Sequence, residues 1–229
     1  MRRLIVALTL TLAGQPALAG GMAEPVSEPA VIAAPAPAGD SPWYAYGLIG
    51  AGRADHRFTY AEFGGTSFTA SGAMLAAGLG RVLTRGDGWT LGVEGDLSLG
   101  TLKQDIFLAE YPCKHEGCAA SIKGMATLRA VAARDFGATR VFATAGLAAG
   151  RAQGQADRGD CDRAGECAYD ETLFGWSAGI GALRALGENW SLRGDILYTS
   201  LGRPDFHDIS TRAGRIGVTQ IRLGAQYDF

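Results

Sequence analysis

From Trp43 to Phe229 apolar and polar residues alternate with period two over eight stretches, and the connections between those stretches are by turns short and long. Side chains that alternate in this way line opposite faces of a β-strand. Strands are expected at about 43–53, 72–84, 89–103, 121–136, 141–153, 173–186, 190–201 and 216–229. Arg85-Gly86-Asp87-Gly88, Gly137-Ala138-Thr139-Arg140 and Gly187-Glu188-Asn189 read as tight turns, rich in residues that accept positive φ. The other four connections, 54–71, 104–120, 156–172 and 202–215, are long and polar. Such a meander predicts an all-β fold, an eight-stranded antiparallel up-and-down barrel with both ends on the short-turn side.

Composition narrows the alternatives. The 34 glycines are roughly double ordinary usage and would each cost about 1 kcal/mol inside helices. Apolar residues make up 47% of the chain, too many for disorder, yet no stretch reaches 18 continuous apolar residues, so no transmembrane helix is expected. A net charge of −2 lacks the basic excess of nucleic-acid binders.

The faces can be read residue by residue. In the last strand Thr219, Ile221, Leu223, Ala225, Tyr227 and Phe229 oppose Gln220, Arg222, Gly224, Gln226 and Asp228. In the third, Trp89, Leu91, Val93, Leu97 and Leu99 oppose Thr90, Glu94, Asp96 and Ser98; in the seventh, Trp190, Leu192, Ile196 and Tyr198 oppose Ser191, Arg193, Asp195 and Thr199. In the fourth, Leu128, Ala130 and Ala132 oppose Lys123, Thr127 and Arg129. The first, second and fifth strands are too rich in Gly and Ala to fix a register. Alternation alone does not say which face points inward, since a soluble barrel shows the same period. Three features turn the apolar face outward, toward lipid. Aromatic residues fall near strand ends (Trp43, Tyr44, Trp89, Phe174, Trp176, Trp190, Tyr198, Tyr227, Phe229), where two membrane interfaces would meet them. The polar face carries compensated charge in mid-strand, Glu94, Asp96 and Asp195 against Arg129, Arg193 and Arg222. The last strand finishes on an aromatic residue. In lipid every backbone group must be paired, which a closed transmembrane barrel achieves.

Residues 1–19 read as a signal peptide: Arg2 and Arg3, an apolar core from Leu4 to Ala13, and Ala17-Leu18-Ala19 before the expected cleavage. Residues 20–42 hold Pro25, Pro29, Pro35, Pro37 and Pro42 and read as a flexible periplasmic linker. The barrel domain is placed at 43–229.

The segments Trp89-Thr90-Leu91-Gly92-Val93-Glu94-Gly95-Asp96-Leu97-Ser98, Gly175-Trp176-Ser177-Ala178-Gly179-Ile180-Gly181, Asn189-Trp190-Ser191-Leu192-Arg193 and Ile221-Arg222-Leu223-Gly224-Ala225-Gln226-Tyr227-Asp228-Phe229 together resemble the small outer-membrane β-barrels of alphaproteobacteria, the opacity-type porin and immunogenic surface-antigen family. The resemblance implies an outer-membrane location, a surface protein rather than an enzyme, and an assembly signal at Tyr227 and Phe229 read by the outer-membrane assembly machinery. Outer-membrane lipid, lipopolysaccharide and an unnamed extracellular ligand are the partners expected of a monomer. The Cys-bearing loops and Ala-rich strands depart from the family pattern.

Cys113-x4-Cys118 and Cys161-x5-Cys167 place each cysteine pair within one long connection. An oxidising periplasm favours disulfides; three pairings exist, of which two local bridges close the shortest rings. Metal capture involving His115 is the alternative, although neither spacing is a zinc-ribbon one. His56, His115 and His207 are expected in loops. His207-Asp208-Ile209-Ser210 offers the residue types of a lipid hydrolase but not a strand-face arrangement. No cofactor is expected. The six mid-strand charges either form a structural plug or line a small pore; an eight-stranded barrel is only wide enough for its side chains to fill, which favours the plug. The main expectation is a barrel contributing to envelope integrity and presenting its loops, with a low-conductance porin as the alternative and a lipid hydrolase as the third reading.

Overall fold

Asp87 and Gly88 both adopt positive φ, 51° and 76°, the geometry of a two-residue hairpin turn whose twist matches its strands. Gly137 does the same at 61°. In the computed structural model, which describes residues 41–60, 64–106, 117–156, 168–205 and 211–229, these turns join strands of a closed antiparallel sheet. The strands are β1 (Trp43–Tyr60), β2 (Gly64–Gly86), β3 (Trp89–Ile106), β4 (Cys118–Phe136), β5 (Thr139–Gln155), β6 (Ala168–Ala185), β7 (Trp190–Leu201), β8 (Thr211–Ala213) and β9 (Gly217–Asp228). Each pairs with its neighbour, and β1 closes the ring by pairing with both β2 and β9. The short β8 pairs with β1 at Phe58–Tyr60, beyond the end of the β1–β9 ladder, so β8 and β9 form one interrupted wall and the ring has eight staves. The eight-stranded up-and-down barrel is borne out. The expected signal peptide at 1–19 and nearly all of the linker at 20–42 lie outside the described residues.

The outer surface carries a band of large apolar side chains, among them Ile49, Leu79, Leu97, Leu128, Leu147 (69% exposed), Ile180 and Leu223. Exposure on that scale, on every stave, is the surface of a protein whose solvent is lipid. Trp43, Trp89, Phe136, Trp190 and Phe229 mark the short-turn rim, where Arg81 lies over Trp43 at 5.3 Å and Arg134 over Trp89 at 5.4 Å. Tyr227 points outward there between Trp190 (5.0 Å) and Phe229 (5.3 Å). Tyr44 departs from the expected belt: it is buried and faces the lumen.

The strands are longer than the sequence suggests. A tilted strand needs about 9–11 residues to cross a membrane, whereas β1 has 18 residues and β2 has 23. Strand takes up most of the expected loop 54–71, both ends of 104–120 and the end of 156–172, and β8 lies within 202–215. The reason is a second alternation of opposite sense. Toward the long-loop end Arg53, Asp55, Arg57, Ser67 and Thr69 point outward, while Ala54, Phe58, Phe68 and Ala70 point inward. There they join Leu102, Ile122, Ala152, Leu173 and Val218 in an apolar cluster, where burying a Phe or Leu is worth about 1.5–3 kcal/mol. Lys123 also departs from its expected face. A β-bulge between Ile122 and Gly124 puts Lys123 on the outer surface, while the inward series continues as Met125, Thr127 and Arg129.

Candidate functional site

Glu94 and Asp96 stand two residues apart on β3 and so share its inward face. Arg129 on β4 is directly opposite Glu94, and Asp195 on β7 is directly opposite Arg222 on β9. With Arg193 they form the centre of the lumen, each between 1% and 7% exposed. Arg129 Nη2 donates to Glu94 Oε1 at 2.7 Å and to Asp96 Oδ2 at 2.6 Å. Arg193 Nη2 donates to Glu94 Oε2 at 2.9 Å. Arg222 donates to Asp195 Oδ1 through Nε at 2.7 Å and to Asp96 Oδ2 through Nη1 at 3.2 Å. Three carboxylates and three guanidiniums make a neutral network, the condition under which charges tolerate removal from water. All six charges singled out from the sequence therefore meet.

Sequence reasoning missed the partners that complete the network. Tyr44 and Tyr46 on β1 donate to Glu94 Oε2 (3.1 Å) and Asp96 Oδ2 (3.3 Å). The Arg193 guanidinium lies 4.0 Å from the centre of the Tyr46 ring and 4.6 Å from that of Phe142, and donates to Gln226 Oε1 at 3.0 Å; such stacking adds cation–π attraction. The tyrosine rings lie against Gly80 and Gly78 of β2, and a methyl group at either glycine would collide with them. The signal that could have found them was a pair of alternate tyrosines facing alternate glycines.

At the short-turn mouth a cavity of about 30 Å³ reaches Tyr44, Glu94, Phe142 and Arg193, room for roughly one water. On the other side the buried residues form the apolar cluster. His56, expected in a loop, is on β1, 2% exposed, and stacked on Phe68 at 5.6 Å. Neither ring nitrogen has a hydrogen-bond partner among the described residues. Burial lowers its pKa from 6.5 to about 4, favouring the neutral ring. His115, His207, Asp208 and Ser210 lie outside the described residues, as do Cys113, Cys161 and Cys167. Cys118 is buried at the start of β4 within the apolar cluster, and among the described residues no cysteine is free. No group of three or more metal-ligating side chains comes together among the described residues.

The family described as outer membrane protein beta-barrel domain matches residues 91–229. Over 91 residues, 39% of the chain, the sequence is 34% identical to the 31 kDa outer-membrane immunogenic protein of Brucella melitensis and to that of Brucella suis. The matched region spans 38% of the length of those relatives. Among solved structures, Neisserial surface protein A is 14% identical with a TM-score of 0.44, over 80% of this chain and 97% of that one. OprG from Pseudomonas aeruginosa is 12% identical with a TM-score of 0.47, over 84% and 98%.

Proposed function

The chain belongs to the outer membrane protein beta-barrel family, and from that premise we propose that it is a non-enzymatic barrel with a closed lumen, which reinforces the envelope and presents its long loops outward. Its place is the outer membrane. The observation that carries the reading is the filled interior: a neutral network of six charges sealed by tyrosines in one half and an apolar cluster in the other. A conducting pore needs a continuous polar path, and Phe58, Leu102 and Ile122 interrupt it. The long-loop end points to the exterior in this reading, which leaves the short turns and Tyr227-Asp228-Phe229 on the periplasmic side for the assembly machinery. Local disulfides between Cys113 and Cys118 and between Cys161 and Cys167 belong to the same reading.

Planar-bilayer recording of the refolded protein tests the closed lumen. The expected result is a quiet trace. Stable unitary steps that change amplitude in Glu94→Gln would overturn the plug and put a low-conductance porin in its place.

A further inference from the structure

β2, β4 and β6 all run toward the short turns, and the outward series of each repeats one pattern as it nears them: an apolar residue, an arginine, a large apolar residue. On β2 it reads Leu79, Arg81, Leu83; on β4 Ala132, Arg134, Phe136; on β6 and the residue after it Ala182, Arg184, Leu186. All three arginines are exposed. Leu83, Phe136 and Leu186 beyond them are 60%, 59% and 67% exposed. A cation with apolar surface on both sides stands within the interfacial layer of the membrane, not in the water past it. At that depth an ionisable side chain needs a partner.

Among the described residues no carboxylate supplies that partner. Arg81 and Arg134 make no hydrogen bond or ion pair there, and Arg184 donates only through Nη1, to the Thr139 hydroxyl at 3.2 Å. Asp135, next to Arg134 in the chain, is held at both oxygens by Arg140, at 2.6 Å and 3.3 Å. What Arg81 and Arg134 have instead is an indole. Register sets Trp43 directly across from Arg81 and Trp89 directly across from Arg134. The guanidinium carbons lie 5.3 Å and 5.4 Å from the ring centres, and Phe136 adds a second ring 5.7 Å from Arg134. Stacking engages the face of a guanidinium and leaves the N–H donors at its edge. On the strand between them Arg81 is paired with Val93 and Arg134 with Trp89. Four residues along and two strands across put the two arginines about 16 Å apart, too far to share one headgroup.

We propose that the Trp43–Arg81 and Trp89–Arg134 pairs are two seats for acidic phospholipids of the inner leaflet, each taking one phosphodiester at the guanidinium edge, with acyl chains along the exposed Leu79 and Leu91. Arginine presents a planar fork that matches two phosphate oxygens, and the indole fixes the plane in which the fork lies. Headgroup charge is selected too. An ethanolamine headgroup brings an ammonium of its own to a seat that is already cationic and whose neighbouring Asp135 is taken, whereas a glycerol headgroup brings none. Position selects the leaflet: the inference rests on the reading in which the short turns face the periplasm, so the lipid that reaches this rim is phospholipid. Arg184 faces Thr139 and Leu192 in place of an indole, which makes it the internal comparison.

The test uses the full chain folded into phosphatidylcholine vesicles that carry increasing fractions of brominated phosphatidylglycerol or, in a parallel series, brominated phosphatidylethanolamine. Quenching of tryptophan fluorescence reads which lipid occupies the wall, since Trp43 and Trp89 are parts of the seats, and heat-modifiable gel migration certifies the fold of each variant. Phosphatidylglycerol should be preferred on the order of fivefold, and less so in high salt. Arg81→Gln/Arg134→Gln should lose the preference. Arg184→Gln, at the same rim without an indole, and Arg53→Gln/Lys123→Gln, at the opposite rim, should keep it. Equal quenching by the two lipids, a preference that survives in Arg81→Gln/Arg134→Gln, or an equal loss in either comparison variant would each overturn the seats. Vesicles offer both lipids to both rims, so the outcome does not depend on which rim faces the periplasm, and the bilayer trace tests the plug separately.

Discussion

Replacing Arg129 with methionine removes one cation from a neutral network and leaves three carboxylates facing two guanidiniums. Arg129 makes its contacts to Glu94, Asp96 and Tyr46 through Nη2. After its loss Glu94 keeps Arg193 and Tyr44, and Asp96 keeps Arg222 at 3.2 Å and Tyr46. Removal of one partner from a buried ion pair costs about 3–5 kcal/mol. The low end is expected, since Nε and Nη1 of Arg129 have no hydrogen-bond partner and both carboxylates keep other donors. The second change, Glu94→Gln in the same chain, restores neutrality with Asp96 and Asp195 against Arg193 and Arg222. Arg129→Met/Glu94→Gln should therefore be more stable than Arg129→Met alone, a coupling of about 1–3 kcal/mol. Urea titration of the barrel in lipid vesicles, with the folded fraction read from heat-modifiable migration, measures each variant. A single-variant loss below about 1 kcal/mol, or a double variant that costs as much as the sum of the singles, would refute the role assigned to charge balance.

His56 predicts a pH dependence at the long-loop end. Its folded pKa of about 4 lies below the unfolded value of 6.5, so the unfolded chain binds the extra proton first and stability falls as pH drops from about 6.5 toward 4, by at most about 3 kcal/mol. His56→Phe should flatten that part of the profile in urea midpoints taken at pH 7.5 and 4.5, and an unchanged slope would remove His56 as the cause. Gly80→Ala should push a methyl group into the Tyr44 ring and cost about 1–3 kcal/mol; a urea midpoint equal to that of the unsubstituted protein would show that the ring is not held there.

How much could be read in advance follows from which signals are local. Glu94, Asp96, Arg193, Asp195 and Arg222 were assignable to the lumen because each sits on a strand whose opposite face is plainly apolar. Arg129 was assignable for the same reason, although Lys123 was not, because a one-residue bulge is invisible to a period-two reading. Tyr44 and Tyr46 were hidden because β1 alternates them with Ala45 and Gly47, which declare no side. Their direction is set by glycines on another strand, and that pairing is a long-range fact.

The overlooked extension of the strands has a more general cause. A barrel wall crossing lipid must be apolar outside, so its polar residues gather within and must balance their charges. The same wall, once past the headgroups, faces water outside, and its interior can only be stabilised by apolar packing. The long strands therefore invert their alternation at the membrane surface: on β1 the inward series runs Tyr44, Tyr46, Leu48, Ala54, His56, Phe58, while the outward series runs from Trp43 and Ile49 to Arg53, Asp55 and Arg57. Read as one pattern, the second half looks like a polar loop. Read as two solvents along one strand, it is a soluble-type β-barrel continued from a membrane barrel, stabilised by Phe58, Leu102 and Ile122 rather than by lipid. Tyr46 in the ionic half and His56 in the apolar half are ten residues apart on β1, roughly 33 Å of strand. The long loops are then presented from a wall whose packing does not draw on the membrane below it.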